Sequence, residues 1–244
     1  MNPEELKERW NRACHVVFFG GAGVSTASGI PDFRGGDGLY AQKNNTDTDV
    51  PPEEILSVGY LRRYPAAFYA YYRTHMLYPD AKPNRAHTAL ARLEAEGKLS
   101  AVITQNIDGL HQAAGSQNVM ELHGSVTRNY CVGCGARYSL TWIRQQKEVP
   151  YCEACGGFVR PDVVLYGEGL DETVFARAEE EISRADLLVV GGTSLTVYPA
   201  ASLVTRYRGS HLVILNRTPT PCDGRAELVL RDPIEKMLGD MLDD

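Results

Sequence analysis

Four of the six cysteines fall into two pairs, Cys131-x-x-Cys134 and Cys152-x-x-Cys155, with seventeen residues between them. Two turns that each offer a pair of thiolates are the pattern of a four-cysteine tetrahedral zinc site. Sulfur fills all four positions, so no position stays open for water or substrate, and the ion is expected to be structural. Cys14 precedes an apolar run and is expected to be a small core residue. Cys222 lies in a loop and takes no role. A second chemistry-bearing stretch is GGAGVSTASGIPDFRGG, Gly20 to Gly36, which follows the apolar run HVVFFGG. A glycine-rich turn after a buried strand lets backbone N–H groups approach a pyrophosphate, with a helix N-terminus helping to hold the charge. Gly21 and Gly23 fit that role, but Ser25, Thr26 and Ala27 stand where the third glycine of G-x-G-x-x-G belongs. Nor does an acidic residue close a second strand: Asp47 and Asp49 lie in the polar stretch QKNNTDTDVPP. A hydride-transferring dehydrogenase is therefore disfavoured, and on its own this turn reads equally as a plain tight turn. Of six histidines, His15, His87 and His211 occupy strand or helix positions that suit satisfied structural side chains. His75 carries no signal, and His111 in NIDGLH could orient a loop. His123 in ELHGS ends an apolar run before a glycine, where α/β sheets expose reactive groups. General base and structural histidine are equal readings for it from the residues alone.

The elements that must position these residues alternate. Short apolar runs rich in β-branched residues read as buried strands: His15 to Gly21, Ser100 to Asn106, Asp162 to Glu168, Asp186 to Gly192 and His211 to Asn216, with Asn118 to Gly124 a weaker candidate. Between them, Asn84 to Glu96 places Leu90 and Leu93 on one helical face, and Glu172 to Ser183 aligns Val174, Ala178 and Ile182. Strands apolar on both faces and separated by helices imply a parallel sheet in an α/β domain. Two stretches break the rhythm. Asp37 to Pro83 turns from polar to aromatic and helical, and Asn129 to Arg160 holds the paired cysteines. Both read as inserts that together build a smaller domain. The expected division is 1–37, 84–128 and 161–244 for the larger domain, 38–83 for a helical module and 129–160 for the zinc module.

The 244 residues suit one large domain, or one domain with a smaller insert. Lys and Arg total 25 against 31 Asp and Glu, a net charge of −6 that argues against wrapping nucleic acid. It leaves room for a cationic peptide. No apolar run approaches the roughly 18 residues needed to span a bilayer. The opening MNPEELKERWNRAC is charged and amphipathic, without the apolar core of an export signal. A cytoplasmic protein that holds its cysteines on metal is expected, with no membrane partner.

Taken in order, GAGVSTASGIPDFRG, TQNIDGLH, ELHG, the two Cys-x-x-Cys pairs, RPDVVLYGE, GGTSLTVYPA and VILN resemble the sirtuin family of NAD-dependent protein deacylases, in a compact bacterial form. The likeness runs from about Ala13 to Asn216. It implies a Rossmann-like domain and a smaller domain of zinc-ribbon and helical modules, with NAD and an acyl-lysine peptide meeting between them. Carried onto matching positions, it puts Ala22, Gly23 and Thr26 at the phosphate turn and Asp32, Phe33 and Arg34 in a cofactor loop. Gln105, Asn106, Ile107 and Asp108 would surround the nicotinamide and its ribose. Gly192, Thr193, Ser194 and Asn216 would hold the adenosine half, closed by residues near Asp232–Pro233. His123 becomes the general base on the ribose hydroxyls, with Asn106 the second catalytic residue. The peptide would pair between Val164, Leu165, Tyr166 and Gly167 on one side and the Ser194–Tyr198 stretch, with Thr196 and Val197, on the other. The implied reaction consumes NAD and water and yields free lysine, nicotinamide and O-acetyl-ADP-ribose.

Two departures from the family pattern bear on substrate. Tyr166 stands where most members have phenylalanine, which keeps an aromatic wall and adds a hydroxyl. Members that prefer acidic acyl groups carry Tyr-x-x-Arg in the helical module, whereas FYAYYRTHM offers Tyr69 followed by Tyr72, with Arg73 one place late. One residue turns a helix by about 100°, so Arg73 should point elsewhere. The expectation is acetyl, with longer apolar acyl groups admissible, and weak desuccinylation. Alternatives from other classes are a mono-ADP-ribosyltransferase and a non-enzymatic zinc-ribbon or NAD-sensing binding protein.

Overall fold

A computed structural model describes residues 3–33, 35, 38 and 50–242. Asp47, Asp49 and Arg34 lie outside the described residues. In chain order the elements are α1 (Pro3–Arg12), β1 (Val16–Gly20), α2 (Pro52–Ile55), α3 (Val58–Arg63), α4 (Pro65–His75), α5 (Arg85–Ala95), β2 (Ala101–Thr104), α6 (Leu110–Ala114), β3 (Val119–Glu121), β4 (Gly124–Cys131), β5 (Arg137–Ser139), α7 (Leu140–Gln145), β6 (Val159–Val163), α8 (Glu172–Arg184), β7 (Leu187–Gly191), α9 (Ala201–Arg206), β8 (His211–Leu215), β9 (Leu228–Leu230) and α10 (Ile234–Asp240).

Six strands form one parallel sheet in the order β3-β2-β1-β7-β8-β9. Every residue of β1, β2 and β7 is buried, as a strand covered on both faces requires. Alternation splits β1 between two cores. Val16 and Phe18 face Leu6 and Trp10 of α1, Leu90 and Leu93 of α5, and Met237 and Leu238 of α10. Val17 and Phe19 face Ala178 and Ile182 of α8 and Leu203 and Val204 of α9. Both helices read from periodicity start at side-chain caps. Asn84 accepts the Ala86 N–H ahead of α5, and Asp171 accepts those of Thr173 and Val174 ahead of α8.

The smaller domain has its own core, in which Phe68, Tyr69 and Tyr72 of α4 meet Val126, Ile143, Val159, Val163 and Leu165. Its sheet is antiparallel, β5-β4-β6. This corrects one strand. The Asp162–Glu168 run is not a member of the parallel sheet: its first residues finish β6 in the small sheet, and Val164 to Glu168 leave it. Apolar composition marks a buried strand without saying which sheet buries it. The sheet spans residues 124–163, so it begins earlier and ends later than the 129–160 module expected above. Cys14 is a second correction. It is exposed, and its backbone N–H donates to Asp186 Oδ2 at 2.8 Å. Cys222 is buried in the core beneath α9. Among the described residues, no helix is long and apolar enough to cross a membrane.

Candidate functional site

The sheet order reverses direction at β1, which has β2 on one side and β7 on the other. A crevice opens past the carboxyl ends of strands at such a point. The turn after β1 and the turn after β7 press together there. Gly23 N–H donates to Gly192 O at 2.8 Å and Gly21 N–H to Gly191 O at 3.1 Å. Gly192 adopts φ +60, and a Cβ on it would stand 2.5 Å from Val24 N. A Cβ on Gly23 would come within 2.8 Å of the Gly192 Cα, and one on Gly21 within 2.7 Å of the Thr193 Cβ. Glycines at the points of contact let the two turns pack this tightly at the carboxyl ends of β1 and β7. Among the described residues, no α-helix directly follows the first turn. Two short 3₁₀ turns, Ala22–Val24 and Thr26–Ser28, take its place, so the expected helix N-terminus contributes no extended dipole. Val24 stands near the missing third glycine and is buried against the sheet.

Past β2 the chain supplies a chain of polar side chains. Asn106 Nδ2 donates to Ser25 Oγ at 3.0 Å, and Ser25 Oγ donates to Asp108 Oδ2 at 2.7 Å. His87 Nδ1 accepts the Asn84 N–H at 3.3 Å, so its proton sits on Nε2, which points at Ser25 Oγ 3.5 Å away. Ser25 is thus a relay that accepts from Asn106 and His87 and donates to Asp108. Asn106 N–H is held by Thr104 Oγ1, and Asp108 Oδ1 by the Leu110 N–H. The Ile107 carbonyl takes the Val126 N–H at 2.9 Å, which ties this loop to the small domain. Gln105 Nε2 donates to Thr193 Oγ1 at 2.9 Å, so the turns after β2 and β7 are joined.

His123 sits in the two-residue link between β3 of the large sheet and β4 of the small one. Its Nδ1 lies 2.8 Å from the Gln105 carbonyl. A carbonyl can only accept, so Nδ1 carries the proton and Nε2 is left with a lone pair. Burial pushes the His123 pKa below the ordinary value, and the Gln105 hydrogen bond opposes that shift. The ring is neutral at pH 7 and fit to take a proton. Gly124 follows with φ +73, and a Cβ there would collide with the Asp162 carbonyl. Only glycine makes this crossing.

The other expected residues among those described are held by local contacts. Thr26 Oγ1 donates to Gly23 O at 3.1 Å, Asp32 Oδ1 caps the Gly35 N–H, and Phe33 packs on the small-domain core. Ser194 and Thr196 share a hydrogen bond of 2.8 Å, and Val197 O accepts the Ala201 N–H. Asn216 follows β8, with Nδ2 donating to Thr218 O. Arg231 braces the same loop through Asn216 O, and it pairs with Asp223. Val164 N–H donates to His123 O, while Tyr166 gives its N–H to Leu56 O and takes one from Val58. The segment therefore leans on the helical module along one edge.

The four paired cysteines converge, with all Sγ atoms within 4.8 Å of one another. Gly133 and Gly157 direct N–H groups at Cys131 and Cys155, and the Tyr138 hydroxyl donates to Cys152 Sγ at 3.1 Å. Such donors support thiolates, and the set fits a tetrahedral zinc ion with no open position. The other histidines lie away from this cysteine cluster. His15 meets Glu181, His211 meets Glu227, and His75 stacks on Tyr71. His111 is buried, with neither ring nitrogen bonded among the described residues. Ser25, Asn84 and Thr104 went unassigned in the sequence reading. Only their position within or beside the motifs marked them.

Comparison with known proteins follows the same outline. The sequence model of the Sir2 family matches residues 21–199. A protein named NAD-dependent protein deacetylase from Clostridium perfringens is 53% identical over 240 residues, covering 98% of each chain. One of the same name from Clostridium acetobutylicum is 51% identical over 235 residues, covering 96% of this chain and 95% of that one. Among solved structures, a Sir2 variant with deacetylated p53 peptide and 3'-O-acetyl ADP-ribose superposes with a TM-score of 0.88 at 38% identity, covering 98% of this chain and 96% of that one. A Sir2–p53 peptide–NAD+ structure gives 0.85 at 38%, covering 99% and 98%.

Proposed function

The chain belongs to the Sir2 family and is an NAD-dependent protein deacetylase, and from that premise we propose that His123 is its general base and that the crevice between the turns after β1, β2 and β7 is its reaction site. Bound NAD supplies the electrophilic ribose carbon, the nicotinamide leaving group and the ribose oxygen that receives the acyl group. His123 Nε2, free because Nδ1 is committed to Gln105 O, takes a ribose hydroxyl proton. That assignment of its two nitrogens is the observation that carries the reading. Asn106, fixed by Ser25 and Thr104, and Asp108, fixed by Ser25 and Leu110, orient the nicotinamide end. Ala22, Gly23 and Thr26 line the phosphates, with Asp32 and Phe33 beside them. Gln105 and Ile107 complete the ribose wall, and Gly192, Thr193, Ser194 and Asn216 hold the adenosine half. Holding both reactants in line is where most of the rate gain arises.

An extended acyl-lysine peptide runs between Val164–Gly167 and Ser194–Tyr198, with Thr196 and Val197 along its path. The two-domain division supports this reading, since His123 lies on the link between the two sheets. Tyr69 is buried with its hydroxyl on Val159 O, and Arg73 donates to the carbonyls of Lys147 and Glu148. Neither is available to a substrate carboxylate, which supports acetyl and longer apolar acyl groups over succinyl. Cytoplasmic residence fits cysteines kept as metal ligands.

The test follows peptide mass and nicotinamide together, using zinc-loaded protein, NAD and an acetyl-lysine peptide with a succinyl peptide alongside. Acetyl loss in step with nicotinamide release, only with NAD, is expected. His123→Ala should keep its melting profile and lose about 10²–10⁴ in kcat. Turnover retained in that variant would sink the assigned base, and nicotinamide release with acetyl intact would point to ADP-ribosyl transfer.

A further inference from the structure

Beyond His123 and the crevice, the segment proposed to pair with the peptide has a problem of its own. Its last sheet partner is Gly124, opposite Val163; beyond it Val164 N–H reaches His123 O, Tyr166 pairs with Leu56 and Val58 along one edge, and Gly167 enters a turn. Fixing each backbone residue costs conformational entropy, so a segment that has left its sheet needs a separate tie. Arg160 and Glu168 provide it. The guanidinium meets the carboxylate on both prongs, Nη1 to Oε1 at 2.5 Å and Nη2 to Oε2 at 2.8 Å. Oε2 also accepts the Leu165 N–H at 2.9 Å, and Nη2 also donates to Val163 O at 3.0 Å. One planar pair thus grips the segment before its start, in its middle and after its end. Glu168 N–H closes the turn on Leu165 O, and Gly167 reaches the required φ of +89. The two side chains are only 13% and 23% exposed, so salt screens the pair weakly.

We propose that Arg160 and Glu168 are positioning residues for the deacetylation reaction: their bidentate clasp pre-shapes Val164–Gly167 for the incoming peptide and so sets peptide affinity without touching the reacting atoms. The proposal rests on the assignment of that segment as the peptide's partner. It is tested in the full zinc-loaded chain with Glu168→Gln and with the charge-reversed double variant Arg160→Glu/Glu168→Arg. Glu168→Gln should raise the peptide KM by about tenfold, the value of one charge-assisted hydrogen bond. The KM for NAD and kcat at saturation should stay within about twofold. The double variant restores the attraction, but arginine at 168 offers Leu165 N–H no acceptor and glutamate at 160 offers Val163 O no donor. Its melting temperature should recover relative to Glu168→Gln while the peptide KM stays high. An unchanged peptide KM in Glu168→Gln, or a KM that recovers together with stability in the double variant, overturns the clasp.

If either variant fails to fold, amide exchange in Arg160→Lys decides. Faster exchange confined to residues 163–168 supports the proposal, and exchange that is unchanged or uniformly faster overturns it. A wild-type chain without deacetylase activity would instead remove the proposed function, while exchange in Arg160→Lys would still read the clasp.

Discussion

His87 and His111 meet edge-on with ring centroids 4.8 Å apart, directly behind the Ser25 relay. Burial drives His87 down to about 4, against the opposing pull of Asp108, and drives His111 down to about 3. Both are therefore neutral in the folded protein across the physiological range. The unfolded chain takes up these two protons near pH 6.5, whereas the fold refuses them until about 4 and 3. Their contribution to stability is complete above pH 6.5 and is lost as pH falls through that window, by up to about 1.4 kcal/mol per pH unit for each ring. Melting temperature should fall steadily from pH 6.5 to 4.5. His111→Leu removes one of the titrating rings and two nitrogens unpaired among the described residues, and should make that slope shallower. A slope identical to wild type would show that these rings do not titrate as argued. The same residue-scale logic explains His123: a single carbonyl decides which nitrogen is basic.

At the scale of elements, strand ends and the turns after them do the work. The turns after β1 and β7 can touch only because Gly23 and Gly192 have no side chains. Gly192→Ala would put a methyl against Val24 N in a backbone conformation that alanine adopts at a cost. A loss of about 1–3 kcal/mol in stability is expected. Because the two turns form the proposed phosphate cradle, the KM for NAD should rise about tenfold or more while the peptide KM holds. Equal rises in both would place the cradle elsewhere. The β3–β4 link shows the same economy: with Gly124 forced by the Asp162 carbonyl, His123 is delivered to the boundary between two sheets. Spacing made the glycines and the histidine legible. It gave no sign that the turn after β1 would close into 3₁₀ turns, because that choice depends on the β7 turn packed against it.

The described residues form three cores, two flanking the parallel sheet and one in the small domain. Both inserts share the third, since α4 aromatics pack on β4 and β6 and the Tyr69 hydroxyl donates to Val159 O at 2.6 Å. Cys131 and Cys152 belong to that core. Zinc removal should therefore melt the zinc module and loosen α4 and the Val164–Gly167 segment, ending deacetylation indirectly. Hydrogen exchange after chelation should show lost protection over residues 124–163 and retained protection in β1, β2 and β7. Full protection of the small sheet after metal removal would contradict a structural ion. Arg128 spans the domain junction, pairing with Glu121 of β3 and Asp162 of β6.

The amino-acid sequence determined what short-range physics can encode. The cysteine spacing specified a closed metal site, apolar runs and helical periods specified an α/β sheet with inserts, and the ordered motifs specified family and reaction class. Tertiary structure decided what depends on residues far apart in the chain. Ser25 meets Asp108 across 83 positions, Arg128 joins two domains, and the Asp162–Val163 end of β6 pairs with β4 and stays out of the large sheet. Cys14 is exposed for the same reason: burial is set by what packs over a residue, and composition is silent on that. The proton on His123 is placed by the carbonyl of Gln105, eighteen residues away in the chain and 2.8 Å away in space.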